Sequence, residues 1–568
     1  MPHTPNPSFP WHLRDTLAAA SLFLATAAVV LWQNAHLVVL WDLSYTLDSS
    51  LRIALGQMPY RDFPFVHAPL TFLIQAAIIR LTGRVFFHHV FYAALIGGLG
   101  TVLAWRITLH TLRSRIHAAW SLSLLLAVPL TVLGIYSILP VPSYDCDTAF
   151  SILIAIFLLQ RVSTAKSRLV PFATGIALTL PLFFKQNIGL PLLAVAIAAI
   201  LFLIAIQLLR KATIQPLLAI LTGAITTLTI AALLIHFTAG IHNYIYWTIQ
   251  FAMQRRLPGL PIMLGIYQQP SLIWMLLCIA AALILLHTRL AKFQLTRLLA
   301  LALLSAPFLW TLISLFLSDD ADDRADSLLA LWPLLLLLAA TLTIIQLFRS
   351  PSLRTAQPLI LLAAIHGTLL SQQIWGSTYA IWPLLILLIA EMIVFLDAIC
   401  KSYLAIALTI ILSATLLICG TLYTASEERL SYVQLPDEPL QHATFPALAG
   451  MATPGTYLPN FEELLRYAAA NIPANDGILL LPGEDPFYFA SGRTPQFPVL
   501  LFDPATDPYS PSQLVAQARD RHIRWLILKH TLQIKQDVTP QRDDTLQLLL
   551  QDFTLHQRLA AYDIYQRR

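Results

Sequence analysis

Apolar and polar positions do not alternate along most of this chain; they come in blocks. Apolar runs recur near 17–40, 86–105, 117–139, 148–160, 169–184, 188–209, 215–237, 270–287, 298–317, 328–347, 356–371, 380–396 and 403–423. A bilayer crossing needs about 20 mostly apolar residues, with a range of roughly 17 to 25. The blocks therefore predict thirteen spans, of which the fourth, fifth and eleventh are short. After about Thr424 the pattern changes to that of a water-soluble protein. Phe461–Asn471 predicts an amphipathic helix, ended by the turn residues Pro473 to Gly477. Short apolar runs at Ile478–Leu481, Val499–Phe502, Trp525–Leu528 and Tyr562–Tyr565 predict strands, with a helix over Pro511–Arg521 between two of them. The expected fold class is an α-helical polytopic membrane protein of about thirteen transmembrane helices over 1–424. Its first outer loop is expected at about 41–85, and a small C-terminal α/β domain over 425–568.

Composition agrees with this reading. Of 568 residues, 57% are hydrophobic and 11% charged, whereas a soluble globular protein carries about a quarter charged residues. That excludes a soluble enzyme, a disordered chain or a fibre. The net charge of +5 does not point to nucleic acid, because the bases are scattered and form no stripe with interleaved aromatics. Cys146, Cys278, Cys400 and Cys419 are too few and too far apart for a disulfide framework or a zinc site. The first apolar run is long enough to span and lacks a small-residue cleavage site, so it is expected to be retained.

Charge placement adds an orientation. Alternate loops carry Arg106, Arg113 and Arg115, then Arg161, Lys166 and Arg168, then Arg210 and Lys211. Further on they carry Arg289, Lys292 and Arg297, then Arg349 and Arg354, then Lys401. The intervening loops hold Asp42, Asp48, Asp62, Asp145, Asp147 and the cluster Asp319 to Asp326. Cytoplasmic loops are enriched in Lys and Arg, which predicts a cytoplasmic N-terminus. An odd number of spans then leaves the C-terminal portion in a periplasm-like space.

The first outer loop reads Trp41-Asp42, then a helix of about four turns closed by Gly56. A Pro-rich turn follows, with Pro59, Tyr60, Arg61, Asp62, Phe63, His67, Pro69 and Leu70. Leu47, Leu51 and Leu55 fall on one face, which predicts a helix lying along the membrane surface. This segment resembles the first periplasmic loop of the GT-C glycosyltransferases. Those are lipid-phosphosugar-dependent membrane enzymes of the family 39, dolichyl-phosphate-mannose-protein mannosyltransferase-like type, related to bacterial aminoarabinose transferases. Bacterial members read Asp-Glu, a short helix, Gly-x-x-Pro-Tyr-Arg-Asp-Phe and His-Pro-Pro-Leu. The chain departs from that pattern at Leu43, in place of the second acid, and at Ala68, in place of a proline.

The resemblance implies transfer of a sugar from a polyprenyl-phosphate lipid to a lipid, glycan or protein acceptor at the outer face of a bacterial inner membrane. Asp42 matches the family's first-loop aspartate and is the candidate catalytic base; its alternative role is a helix N-cap. Tyr60, Arg61, Asp62 and His67 carry the first-loop motif. Asp145 and Asp147 match an Asp-x-Asp pair that in oligosaccharyltransferase-like members helps hold a divalent cation. They are candidate ligands for Mg or Mn or for substrate, and Asp147 is alternatively a helix cap.

Lys185 interrupts an apolar region on the outer side, as a clamp for the donor phosphate or as a snorkelling lysine. His242, Arg255 and Arg256 lie in an aromatic-rich loop suited to a lipid phosphate or to an aromatic belt. Arg324, in the acidic loop, is a further phosphate candidate, and Gln372, Gln373 and Trp375 are candidate acceptor contacts. The alternatives to a transferase are a lipid-linked sugar transporter or flippase, and a non-catalytic protein of the same fold. No internal repeat of the kind transporters show is present in the sequence.

Overall fold

The structure, a computed structural model, describes residues 11–36, 40–113, 116, 118–256, 264–317, 329–370, 380–399, 402–425, 438–502, 506–530 and 540–568. Its first half runs α1 (Leu13–Asn34), α2 (Leu40–Ala54), α3 (Leu70–Thr82), α4 (Phe86–Arg113), α5 (Ala119–Ala127), α6 (Leu130–Leu133), α7 (Tyr144–Arg161), α8 (Leu169–Thr179), α9 (Pro181–Phe184), α10 (Gln186–Leu209) and α11 (Gln215–Thr238). Long apolar helices follow at Ser271–His287, Gln294–Leu317, Trp332–Arg349, Leu353–Leu369, Trp382–Ile399 and Ser402–Thr424.

In their described residues, all thirteen apolar blocks fall on a helix or a broken pair of helices. Among the described residues, eight helices are long and apolar enough to cross a membrane by length and composition. The chain is an α-helical polytopic membrane protein with a small C-terminal α/β portion.

Helices in hydrocarbon gain little from burying apolar surface against each other, so close backbone approach supplies much of the packing. α8 and α11 illustrate this. A Cβ at Gly175 would collide with the carbonyl of Ile220, and one at Gly223 with the carbonyl of Phe172. α1 is joined to the segment before α7 by buried polar contacts, in which Gln33 donates to the Ser137 carbonyl and Asn34 to the Pro140 carbonyl.

The C-terminal portion carries a two-stranded ribbon, β1 (Leu440–His442) with β2 (Ala452–Pro454), and a four-stranded sheet. The sheet has the order β3-β4-β6-β5, from β3 (Gly477–Leu481), β4 (Ile523–Lys529), β5 (Phe553–Arg558) and β6 (Tyr562–Arg567). β3 and β4 are parallel, while β4–β6 and β5–β6 are antiparallel. Helices Tyr457–Asn471 and Pro511–Asp520 lie where amphipathic periodicity places them. Lys529 is buried at the end of β4, where burial works against its charge. Asp485 and Glu484 nevertheless hold its pKa above the ordinary lysine value by ion pairing.

Two expectations fail here. The run Val499–Phe502 is a buried irregular segment rather than a strand. The apolar face of α2, expected to rest on the membrane surface, also has a different neighbour. Leu47 and Leu51 are 0% and 2% exposed and share a core with Phe461, Leu464 and Tyr488 of the C-terminal portion, while Leu55 is 49% exposed. The apolar face of α2 is therefore occupied by protein, not by lipid.

Polar contacts lock α2 in place. The Asp48 carboxylate accepts the backbone N–H groups of Tyr488 (3.3 Å) and Phe489 (2.7 Å). Ser44 Oγ donates to the Gly483 carbonyl at 3.0 Å, and Arg52 Nη1 donates to the Pro498 carbonyl at 2.8 Å. Arg84, before α4, donates to the Phe489 carbonyl at 2.6 Å.

Burial pushes the Asp48 carboxyl up to about 8, against the lowering effect of the Phe489 and Tyr488 N–H groups. An acid whose native pKa is raised holds a proton that the unfolded chain releases, so its contribution weakens as pH rises from the ordinary carboxylate value through about 8. The thermal unfolding midpoint of the wild type should therefore fall between pH 5 and pH 8. Asp48→Asn, which keeps a carbonyl acceptor and cannot ionise, should flatten that slope. Parallel slopes for the two proteins would contradict the assignment.

Candidate active site

The extended residue Lys185 separates α9 from α10 and occupies the N-cap position of α10. A Cβ at Gly189 would strike the backbone of Pro181 and Leu182, so its absence lets the first turn of α10 lie directly on α9. That geometry aims Lys185 at the start of α7. Its ammonium forms an ion pair with Asp145, and both side chains are buried, at 10% and 4% exposure. The same ammonium lies 5.1 Å from the centre of the Tyr144 ring. Buried charges are tolerated when paired, and removing one partner leaves the other uncompensated.

Tyr144 links this pair to the first loop. Its ring stacks on His67 with centroids 4.4 Å apart, and His67 meets Tyr45 edge-on at 5.3 Å. Tyr45 stands three residues after Asp42 on α2, so one helical turn separates the candidate base from this aromatic cluster. Asp42 itself is half-buried in the first turn of the helix.

Gln186 holds the remaining edges together, donating to the carbonyls of Val66 (3.0 Å) and Thr248 (3.1 Å). Tyr60, in a left-handed conformation with φ 69°, donates to the His67 carbonyl at 2.6 Å and packs edge-on against Tyr244 at 5.1 Å. Burial raises the Tyr60 phenol well above its ordinary value, so it stays a hydrogen-bond donor.

The other predicted site residues separate into groups. Asp147 is buried in the first turn of α7, where it accepts hydroxyls from Thr71 (2.7 Å), Tyr92 (2.8 Å) and Tyr136 (2.8 Å). It ties α3, α4 and the segment before α7 together under the Tyr144–His67 stack. Arg61 and Asp62 form a half-exposed pair at 2.8 Å. Asp62 also accepts the Met58 N–H at 2.7 Å, and Arg61 Nη1 donates to the Thr238 carbonyl at 3.2 Å. These two shape the turn and join it to the end of α11. The hydrogen bond and charge of Arg61 hold the Asp62 carboxyl below its ordinary value.

His242 is exposed on the short helix Ile241–Ile245. Arg255 and Arg256 end the helix Ala252–Arg256, but their side chains lie outside the described residues, as do Arg324, Gln372, Gln373 and Trp375. Tyr45, Tyr144 and Gln186 are the members of the cluster to which the sequence gave no role, whereas Tyr244 belongs to the aromatic-rich loop already read as suited to a lipid phosphate. The position of Tyr144 next to the Asp145–Asp147 pair was the available signal.

The Asp145–Asp147 pair does not fit a divalent cation as it stands. Asp145 is taken by the Lys185 ammonium, which would repel a metal, and Asp147 is engaged by three hydroxyls. Among the described residues, no group of three or more His, Cys, Asp or Glu side chains gathers to hold a metal.

No family model matches the chain, and no curated protein matches it. Solved structures do. The chain is similar to the oligosaccharyltransferase of Archaeoglobus fulgidus in a complex with Zn and sulfate, at 12% identity and a TM-score of 0.50. The match covers 90% of this chain and 68% of that one. It is also similar to ArnT of Cupriavidus metallidurans bound to undecaprenyl phosphate, at 11% identity and a TM-score of 0.42 over 97% of each chain. The likeness to the archaeal enzyme is one of fold, and the fold is of the GT-C type.

The ion pair makes a direct prediction. Lys185→Met removes the ammonium that faces the buried Asp145, and removing one member of a buried ion pair typically costs about 3–5 kcal/mol. It should lower the thermal midpoint more than the double variant Asp145→Asn with Lys185→Met. Equal losses in the two proteins would show that the pair is not formed.

Proposed function

We propose that this chain is a glycosyltransferase that moves a sugar from a polyprenyl-phosphate donor to a lipid, glycan or protein acceptor. The observation that carries the reading is the Lys185 ammonium, paired with Asp145 beside the Tyr144–His67 stack, on a fold shared with an oligosaccharyltransferase. In this reading the chain has a membrane domain over 1–424 and an outer α/β domain over 425–568. The N-terminus is cytoplasmic, and the site faces the periplasm of a bacterial inner membrane.

The chemistry follows from charge. The acceptor hydroxyl attacks the anomeric carbon of the donor, and the bond from that carbon to the phosphate oxygen breaks. The electron pair leaves with the phosphate. Asp42, at the rim of the aromatic cluster, takes the hydroxyl proton as general base. The leaving phosphate needs a cation, and Lys185 is a charge already brought into a low-dielectric position. Donor binding moves the Lys185 ammonium from Asp145 to the phosphate, so the ion pair is the resting state of the clamp. His67 and Tyr144 offer a stacked aromatic wall for the sugar. No step requires a metal.

The test is cell-free transfer from radiolabelled polyprenyl-phosphate sugars. Wild-type protein should give labelled product. Asp42→Asn should lose about 100-fold or more of the rate, the scale of a general base. Equal product from wild type and Asp42→Asn would remove Asp42 from the mechanism. Movement of intact lipid-linked sugar across liposomes without bond cleavage would replace the transferase reading with a transporter.

A further inference from the structure

The end of the bundle away from Lys185 gathers positive charge at one point. Arg161 closes α7, about 25 Å along that helix from Asp145 in its first turn. Gln160, beside it, donates to Thr111 Oγ1 at 3.0 Å. Arg354, in the first turn of the helix Leu353–Leu369, donates through Nη2 to the Thr111 carbonyl, also at 3.0 Å. These two bonds bring α7 and Leu353–Leu369 to the last turn of α4. On α4 itself, Arg106, His110 and Arg113 fall within about 60° of one another at about 100° per residue, so they share one face. The positive charges of Arg106, Arg113, Arg161 and Arg354 all act on His110.

Like charges held together repel, and nearby acids offset only part of that repulsion. The charges that act on Arg106 are those of Asp15, Arg113 and Arg161. Asp15 is itself engaged, accepting the Trp120 indole N–H at 2.8 Å and the His12 N–H at 3.1 Å. Asp397 stands in the last turn of the neighbouring helix Trp382–Ile399. Among the described residues, neither acid forms an ion pair, nor do Arg106, Arg161 or Arg354. Residues 1–10, 114, 115 and 117, which adjoin these elements in the chain, include no Asp or Glu. Four arginines that converge on one acid carry an excess of positive charge that an anion would neutralise.

The outermost of them are placed to meet that anion. Arg161 and Arg354 are exposed. Arg161 lies 3.9 Å from the centre of the Phe157 ring and makes no side-chain hydrogen bond among the described residues, and Arg354 spends one of its five N–H donors on Thr111. The level in the bilayer is marked by tryptophans, which concentrate at membrane–water interfaces. Trp11 is 51% exposed and its ring covers the Arg106 guanidinium at 4.4 Å. We propose that this end of the bundle binds the phosphate headgroup of an anionic membrane lipid, held by Arg161 and Arg354, with Arg106 and Arg113 supplying charge behind them. The site joins α4, α7 and Leu353–Leu369 and is independent of the transferase reading.

The test uses the full chain in uncharged detergent, titrated with short-chain phosphatidylglycerol or with phosphatidylcholine of the same chains, and native mass spectrometry counts the lipid retained. Phosphatidylglycerol should be retained at a concentration about tenfold or more below that of phosphatidylcholine, the scale of one charged hydrogen bond. Arg161→Gln combined with Arg354→Gln should remove that preference. Arg161→Gln alone, which breaks no side-chain hydrogen bond among the described residues, should weaken it and guards against a folding defect in the pair. Arg210→Gln with Lys211→Gln removes the same charge from exposed positions after α10 and should leave the preference intact. Equal losses in the two double variants would show diffuse attraction instead of a site and overturn the proposal, as would the absence of a preference in the wild type. Glycerol 3-phosphate, which carries the phosphate without acyl chains, should not displace the lipid at equal concentration. Displacement by it as effective as by unlabelled lipid would make the ligand a soluble phosphate ester and overturn the lipid assignment.

Discussion

A lysine and an aspartate buried in a helical bundle are tolerated as a pair, and the layout around Lys185 and Asp145 serves that meeting. Lys185 reaches Asp145 because α10 begins directly on α9, which a side chain at position 189 would prevent. Asp145 is presented because Asp147, one residue beyond the next, is pinned by three hydroxyls from three different parts of the bundle. Tyr144 then has little choice of direction. It covers the ammonium on one side and stacks on His67 on the other. One electrostatic requirement thus brings the first loop, α7 and α10 to a common point.

The opposite wall is set by the C-terminal portion. α2 carries Asp42 and Tyr45, and its depth and rotation depend on contacts outside the bundle. Leu47 and Leu51 enter the core of the C-terminal portion, Asp48 takes two backbone donors from it, and Arg52 reaches the Pro498 carbonyl. A small α/β element without visible chemistry of its own therefore has a role: it fixes the helix that bears the proposed base. Deleting it would expose an apolar stripe and orphan a buried arginine, so the two regions act as one unit at the site.

Much of this was legible in the sequence because hydrophobic blocks are strong, local signals. In their described residues the apolar blocks fall mainly on helices or broken pairs of helices, and the strands at Ile478, Trp525 and Tyr562 lie where short apolar runs place them. The helix closed by Gly56 is also as read, with Gly56 at φ 96°. The failures share a cause. Periodicity gives the apolar face of α2 but not what covers it, so Leu47 and Leu51 pointed to lipid when they meet protein. The run Val499–Phe502 is as apolar as a strand, yet its backbone bonds go to a loop residue and to the turn after β3 instead of a ladder: the Leu501 carbonyl accepts from Thr506 Oγ1 and the Phe502 N–H donates to the Pro482 carbonyl, each at 2.9 Å. The partnership of Lys185 with Asp145, forty residues apart, is a tertiary fact that no local pattern announces.

In the proposed reaction Lys185 exchanges Asp145 for the donor phosphate. An experimental structure of the full chain with a polyprenyl phosphate bound tests it most directly. The phosphate is expected within hydrogen-bonding distance of Lys185 Nζ, with the bond to Asp145 lengthened or broken and the lipid head beside Tyr144 and His67. A phosphate seated elsewhere, with the Lys185–Asp145 pair still closed, would contradict it.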